Sequence, residues 1–180
     1  MQSTDEERPE SIAMGNNEQR IYMLTETGIL VIFSTETLAI VYQRPFHRIG
    51  KEIIPFRRSE KIMLIFEQDV ICIDSDPKRA DYQTLPQYST EFNKIFCVKL
   101  TFDEKKLAVG TITSSKPQIQ IFTVDDRLQF YKNLRPSSDT IKFIDFSVDN
   151  DYMMTEDIKG NVNFFEMHTD RNIDEKAIDF

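Results

Sequence analysis

Phe102-Asp103-Glu104-Lys105-Lys106-Leu107-Ala108-Val109 joins a phenylalanine, a short charged turn and an apolar strand. The same order begins at Phe56 and at Phe146, which lie 46 positions before and 44 positions after Phe102. A period of about 45 residues is typical of the four-stranded blades of β-propellers. A blade cannot bury its own faces and must stack on its neighbours. The sequence therefore predicts an all-β chain of stacked blades, with Phe102 and Phe146 buried at equivalent positions.

Short apolar runs separated by turn residues predict the strands of these blades. The first unit has three readable strands, the last of which is Leu38–Tyr42, and the fourth unit has three, the last of which is Val162–Phe165. The second and third units have four strands each. We therefore expect about three and a half four-stranded blades in all, which is a partial or incomplete propeller. An open propeller leaves unpaired strand edges. We therefore expect edge-strand pairing with another chain or with a missing propeller half, and a chain that is not a stable monomer.

Composition divides the chain into a folded part and two tails. Residues 1–18 are acidic and polar and are interpreted as a flexible tail, residues 19–168 as the blades, and residues 169–180 as a flexible C-terminal tail. There is no secretory signal pattern and no apolar run near 18 residues, so neither export nor a membrane span is expected. Cys72 and Cys97 lie inside apolar strands, which suits the reducing cytoplasm.

The charge distribution suggests what the chain binds. Its net charge of −8 would repel phosphate backbones, so no nucleic-acid partner is expected. Between residues 44 and 61, however, the net charge is +4, owing to Arg44, Arg48, Lys51, Arg57, Arg58 and Lys61. Two interpretations are open: a solvated turn between blades, or a docking patch for an acidic protein surface.

The residue patterns of enzymes and of metal sites are absent from the sequence. His47 and His168 are far apart and have no metal-ligand spacing, and the five glycines are isolated. Asp149-Asn150-Asp151 begins like a calcium loop, but Met154 stands where the loop needs glycine. We predict no catalytic residue, no metal ligand, no cofactor-binding residue and no cofactor.

Several segments resemble the WD40-repeat superfamily, and most closely the echinoderm microtubule-associated protein-like family and related axonemal WD-repeat proteins. The similar segments are Val98–Glu104 with Lys106–Gly110, Ile119–Val124, Ile141–Asp149, and Asn163–Glu166. Phe146 stands where the family pattern has tryptophan. The resemblance covers about residues 52–166 and implies WD40-like blades.

The resemblance also implies a function and a setting. We expect a non-catalytic interaction scaffold that is a structural component of a ciliary axoneme or microtubule-associated assembly. Its partners would be other proteins of a large assembly, with tubulin or axonemal proteins as candidates, in the cytoplasm, the cytoskeleton and the cilium axoneme. The alternative is a cytosolic WD-repeat adaptor or assembly factor with no link to microtubules. An RNA-associated propeller is a third hypothesis, which the aromatic content suggests and the acidity opposes.

Overall fold

The computed structural model describes residues 7–15, 18–74, 76, 88–113, 116–125, 128–136, 139–168 and 172–173. These residues form sixteen β-strands and contain no helix. The strands make four sheets of four, and in each sheet strands that follow one another in the chain lie side by side. The predicted all-β fold of propeller-type blades is confirmed, with four sheets instead of about three and a half.

Unit 1, Met1–Glu91, contains two sheets. Sheet A consists of β1 (Pro9–Met14), β2 (Arg20–Thr25), β3 (Ile29–Ser34) and β4 (Ile40–Pro45). Sheet B consists of β5 (Gly50–Pro55), β6 (Lys61–Phe66), β7 (Asp69–Asp74) and β8 (Tyr88–Glu91). Strand β5 packs beside β1 and β2. The core between the sheets includes Tyr22, Leu24, Leu64 and Phe66, all buried.

Unit 2, Phe92–Phe180, repeats this arrangement. Sheet C consists of β9 (Ile95–Leu100), β10 (Lys106–Thr113), β11 (Lys116–Val124) and β12 (Leu128–Leu134). Sheet D consists of β13 (Ile141–Phe146), β14 (Tyr152–Asp157), β15 (Val162–Glu166) and β16 (Asn172–Ile173). Strand β13 packs beside β9 and β10. The core includes Ala108, Ile121, Ile144, Phe146 and Phe165.

One backbone hydrogen bond closes the first hairpin of every sheet. The N–H of one residue donates to the C=O of the residue five positions later, which begins the second strand. The four donor–acceptor pairs are Gly15–Arg20, Phe56–Lys61, Thr101–Lys106 and Ser147–Tyr152, with N···O distances of 2.9, 3.0, 2.9 and 3.0 Å. These bonds define the true repeat, because they mark the same place in all four sheets.

The phenylalanines that predict the repeat do not occupy equivalent positions. Phe56 is the donor of its hairpin bond, Phe102 follows the donor Thr101, and Phe146 precedes the donor Ser147. Phe146 is 5% exposed, as predicted, but Phe102 is 39% exposed, so its predicted burial is wrong. Phe146 is the last residue of β13, whereas Phe102 lies two positions further along the repeat, in the turn after β9, so its ring is outside the strand that faces the core.

The turns of these hairpins share a second feature in three sheets. Glu18, Glu104 and Asn150 each lie three residues after the donor and have positive φ angles of 55°, 62° and 64°. In unit 2 side-chain hydrogen bonds add to the turn. Thr101 Oγ1 donates to Asp103 Oδ1 at 2.7 Å, and Asp103 Oδ1 also accepts a 3.1 Å bond from the Lys105 N–H. The turn after Ser147 repeats both bonds with Asp149.

The predicted segment limits differ from the structure at both ends. Strand β1 lies inside the predicted tail 1–18, and that part of the tail prediction is wrong for Pro9–Met14. Its residues lack an apolar stripe because small side chains face sheet B, where Ser11 Oγ accepts a 3.1 Å bond from the Ile53 N–H. In the predicted tail 169–180 the structure describes only β16, and the other residues of both tails lie outside the described residues.

Of the two strands predicted to lie at sheet edges, the structure places one at an edge and the other inside its sheet. The segment Leu38–Tyr42 contributes to β4, which is an edge of sheet A as expected. The segment Val162–Phe165 belongs to β15, which is not an edge, because β16 pairs with it at Phe164 and Phe165. Two residues were too short a strand to recognise in the sequence.

Candidate docking surfaces

The six basic residues proposed for docking fall at the two ends of β5. Arg44 lies in β4, and Arg48 and Lys51 lie where the chain enters β5. Arg57 and Arg58 lie in the turn after β5, and Lys61 begins β6. At 3.3 Å per residue, β5 separates the two groups by about 20 Å. The structure therefore brings together Arg57, Arg58 and Lys61, but not all six residues.

The group before β5 is engaged with neighbouring side chains of unit 1. Arg48 Nη1 lies 2.8 Å from Asp69 Oδ2, and its guanidinium lies 6.0 Å from the centre of the Phe66 ring. The Arg44 guanidinium lies 5.0 Å from the centre of the Phe46 ring. Ion pairs and cation–π contacts hold these side chains against the protein. Of the six basic residues, Arg57 and Arg58 are exposed and the other four are partly buried.

Sequence reasoning missed the apolar side chains exposed on the outer strands β4 and β12. Ile40 and Val41 are exposed on β4, and Phe130 and Tyr131 on β12. Both strands end their sheets, and no strand among the described residues pairs with their outer edges. An edge of this kind can accept a further strand. The dipeptide Phe130-Tyr131 was a usable signal, because two successive residues of a strand cannot both face the same core.

A β-bulge shapes both of these edges. The pairing register shifts between Ile32 and Phe33 opposite β4, and between Ile121 and Phe122 opposite β12. The extra residues are Val41 and Tyr131, at the same place in the repeat. Lys106 Nζ and Lys132 Nζ each lie 5.4 Å from the centre of the Tyr131 ring. A bulge twists an edge and limits indiscriminate pairing, which favours a specific partner.

The two cysteines lie in strands β7 and β9, and His168 contacts an aspartate. Cys72 and Cys97 are free thiols, and burial raises the pKa of the Cys72 thiol to about 11. A thiol with such a pKa is not a nucleophile at neutral pH. His168 Nε2 lies 2.8 Å from Asp151 Oδ1, at the surface of sheet D. Among the described residues there is no cluster of acidic, histidine or cysteine side chains that could hold a metal ion.

In the part of the chain that the structure describes, no helix has the length and apolar character needed to cross a membrane.

Comparison with known proteins supports the fold. No protein-family model matches the sequence, and no curated protein is similar to it. Among solved structures the chain is similar to the hydrazine synthase of Kuenenia stuttgartiensis, with a TM-score of 0.73 and 12% sequence identity. The match covers 96% of this chain and 51% of that chain, so this chain spans about half the length of that protein. The neighbour contains a β-propeller. At this identity the likeness shows the fold alone.

Proposed function

We propose that this chain is a non-catalytic interaction scaffold built from propeller-type blades. The observation that carries the proposal is the pair of strands β4 and β12, each of which ends its sheet among the described residues and carries two exposed apolar side chains. A strand of a partner can add to such an edge, with main-chain hydrogen bonds for affinity and side-chain contacts for specificity. Propeller-type loops offer further binding positions on a rigid support.

The setting that we propose is a microtubule-associated assembly, in particular the ciliary axoneme. The support for it is the sequence resemblance of residues 52–166 to the microtubule-associated WD-repeat family. Tubulin is acidic, and so is this chain, whose net charge is −8. A direct contact would therefore use the local positive charge of Arg57, Arg58 and Lys61, and contacts through other axonemal proteins are the indirect route.

Pelleting with taxol-stabilised microtubules tests the direct contact. Exchanging Arg57 and Arg58 for glutamate should reduce the bound fraction severalfold, and salt should reduce wild-type binding, because exposed charges are screened. The matched control exchanges two exposed lysines of unit 2, Lys105 and Lys116, for glutamate, which changes the net charge equally. If the control and the Arg57/Arg58 variant lose binding equally, the loss comes from net charge and the docking role of these arginines is wrong.

The second candidate is a cytosolic adaptor or assembly factor, for which the same exposed edges β4 and β12 would serve. Localisation of a tagged chain in ciliated cells separates the two: enrichment along the axoneme supports the first candidate, and a uniform cytoplasmic signal supports the second. A salt-dependent titration with RNA tests the third hypothesis, for which we expect no binding at physiological salt.

A further inference from the structure

The exposed phenylalanine of β12 lies on the side of sheet C that faces away from sheet D. Phe130 pairs with Phe122 of β11, and their rings meet edge to face with centroids 6.0 Å apart. Ile121, the residue before Phe122, is buried in the core between sheets C and D. Because successive residues of a strand face opposite sides, Phe122 and Phe130 lie on the other side of the sheet.

The exposed tyrosine of β12 meets two ammonium groups on the side of sheet D. Lys106 Nζ and Lys132 Nζ each lie 5.4 Å from the centre of the Tyr131 ring. Lys132 Nζ also donates a 3.0 Å bond to the C=O of Met167, which follows the third strand of sheet D. Lys106 lies two positions before Ala108, a core residue between sheets C and D, and therefore faces the same side. One side of this edge is aromatic and apolar, and the other is aromatic and cationic.

The β-bulge in β12 explains why Tyr131 shares a side with Lys132. Phe130 pairs with Phe122, and Lys132 pairs with Ile121, so Tyr131 is an extra residue without a partner on β11. An extra residue interrupts the alternation of sides along a strand. Phe130 is 57% exposed and Tyr131 is 51% exposed. Both sides of the edge are therefore accessible to another chain.

The charge around β12 is positive, in contrast to the chain as a whole. Residues 128–136 contain Lys132 and Arg135 and no acidic residue. Over residues 95–135, seven basic and four acidic side chains give a net charge of +3, whereas the net charge of the chain is −8. At physiological ionic strength, charges further away than about 8 Å are largely screened. The nearby lysines therefore decide which charge a strand at this edge can carry.

We propose that the outer edge of β12 binds an extended segment of a partner protein in which apolar and acidic residues alternate. This inference rests on the proposed scaffold function and specifies the chemistry of the partner. An added strand lies about 4.8 Å from β12, and its successive side chains point to opposite sides. Its apolar side chains contact the Phe130 ring on one side, and its carboxylates meet the ammonium groups of Lys106 and Lys132 on the other.

The same arrangement disfavours strands of other composition. A basic segment brings like charges together at Lys132, and cross-strand pairs of like charge are destabilising. An entirely apolar segment removes water from the two ammonium groups without supplying a negative charge, which has a desolvation cost. The preference for alternation therefore follows from the two different sides of the edge.

Strand β4 provides a matched comparison because it has the same bulge without the lysines. At the places of Tyr131 and Lys132 in the repeat, β4 has Val41 and Tyr42. Its basic residue, Arg44, stacks on the ring of Phe46 at 5.0 Å. A preference for acidic partners is therefore expected at β12 and not at β4.

Titration of the complete chain with fluorescein-labelled peptides of seven residues tests the predicted pattern. One peptide alternates glutamate with valine. Its controls replace every glutamate by glutamine, replace every glutamate by lysine, or place the same glutamates and valines in two blocks. In fluorescence anisotropy at about 0.15 M salt, the alternating acidic peptide should bind about fivefold more tightly than each control. If the glutamine peptide binds equally well, the acidic partner is wrong, and if the block peptide does, the two-sided contact is wrong.

Two lysine variants assign the preference to β12. Lys106→Gln and Lys132→Gln should each weaken binding of the glutamate peptide about two- to threefold and leave binding of the glutamine peptide unchanged, because only the former carries charge. A merely structural role, such as the bond from Lys132 to Met167, affects both peptides equally. An equal loss for both peptides, or no loss for either, therefore contradicts the charge contact.

The aromatic contact is tested at the bulge. Tyr131→Ala should weaken binding of the glutamate peptide about fivefold, whereas Val41→Ala, at the same place in β4, should leave it unchanged. Thermal melting confirms that the variants fold, and Phe130→Gln replaces Tyr131→Ala if that variant does not. Equal effects at β4 and β12 would show that the peptide does not bind specifically at β12.

Methylated backbone amides test whether a strand is added. The N–H groups of alternate residues in an added strand face its neighbour, so methylating either all valine amides or all glutamate amides removes these hydrogens in one peptide only. One methylated peptide should lose binding and the other should keep it. Equal behaviour of the two overturns strand addition at β12. Microtubule pelleting and axonemal localisation use none of these peptides, so the scaffold function and the acidic partner can fail separately.

Discussion

The first hairpins of the sheets in the two units are closed by the same backbone hydrogen bond but carry different side chains. In unit 2 the donors are Thr101 and Ser147, whose hydroxyls bond to an aspartate two residues later. In unit 1 the donors at the same position are Gly15 and Phe56, which have no hydroxyl. The backbone bond from donor to acceptor is nevertheless the same in all four sheets. The comparison shows that a backbone hydrogen bond defines the repeat. Hydroxyl–carboxylate bonds between side chains reinforce this hydrogen bond at the donors of unit 2, but not at those of unit 1.

The largest loss of stability should follow substitution of Phe146, which precedes the hairpin donor Ser147 in sheet D. Phe146→Ala removes a buried ring from the core of unit 2 and should cost about 3–5 kcal/mol of unfolding free energy. Phe102→Ala removes an exposed ring at the residue after the donor in sheet C, and should cost less than about 1 kcal/mol. Chemical denaturation measures both. Equal losses would restore the equivalence of the two phenylalanines and contradict the hairpin register.

The side-chain bonds of the unit 2 turns should have a smaller effect. Asp103→Ala removes the acceptor of the Thr101 hydroxyl and of the Lys105 N–H, and should cost about 1 kcal/mol. Val148→Ala, at the position after the donor in the turn of sheet D, removes an exposed side chain without such bonds and serves as control. Should the two variants melt at the same temperature, the turn would owe its stability to the backbone alone.

Glycine substitutions at the two positive-φ positions of unit 2 should have different effects on stability. Glu104 has a φ of 62°, which glycine adopts without the steric penalty of a side chain, so Glu104→Gly should raise the melting temperature by about 2–4 °C. Asn150→Gly relieves the same backbone strain, but it deletes the side-chain oxygen that accepts a 2.9 Å bond from the Phe102 N–H. This variant should be no more stable than the wild type. Differential scanning calorimetry of both variants gives the comparison, and a gain in both would show that the Asn150 bond contributes nothing.

The smallest effect is a pH dependence in unit 2. Lys99, bonded to Asp145, lowers the pKa of that carboxyl below its ordinary value of 3.8, and partial burial opposes the shift. Because the pKa is lower in the folded chain, the stabilisation is present above pH 3.8 and is lost as the pH falls through the folded pKa. Asp145→Asn should lower the free energy of unfolding at pH 6 by less than about 1 kcal/mol, because the Lys99–Asp145 pair is half-exposed.

A double-mutant cycle with Lys99→Met isolates this term. The coupling free energy between positions 99 and 145 should be positive at pH 6 and should diminish below pH 3.8. A coupling that does not change with pH would assign the effect to packing and not to charge.

The sequence predicted the fold class and most strands because alternating apolar runs and turn residues are local signals. It failed where the signal was weak or displaced. Strand β1 was missed because Ser11 and Ala13 supply small, weakly apolar side chains to the contact with sheet B. The register was misjudged because phenylalanines are easily seen, whereas the bonds that define the register join backbone atoms, which every residue has.

The candidate docking surfaces were predicted only in part. Clustering in the sequence singled out six basic residues, of which Arg57 and Arg58 are exposed in the structure, but it could not show that the six residues of β5 separate these two from Arg48. Nor could it show that Arg48 meets Asp69, which is 21 positions later in the chain. Which side chains share a face of sheet A depends on the register between its strands, and that register becomes visible only when the pairing of Met23 with Ile12 and Val31 is known.

The hairpin bond from donor to acceptor has a consequence for how this chain can evolve. A mutation can delete a side chain, but only a change to proline deletes an amide hydrogen. The bonds at Phe56, Thr101 and Ser147 therefore do not depend on which side chain the donor carries, whereas at Gly15 a Cβ would lie 2.9 Å from Tyr22 Oη. Blades held together in this way can drift apart in sequence while their strands keep the same partners.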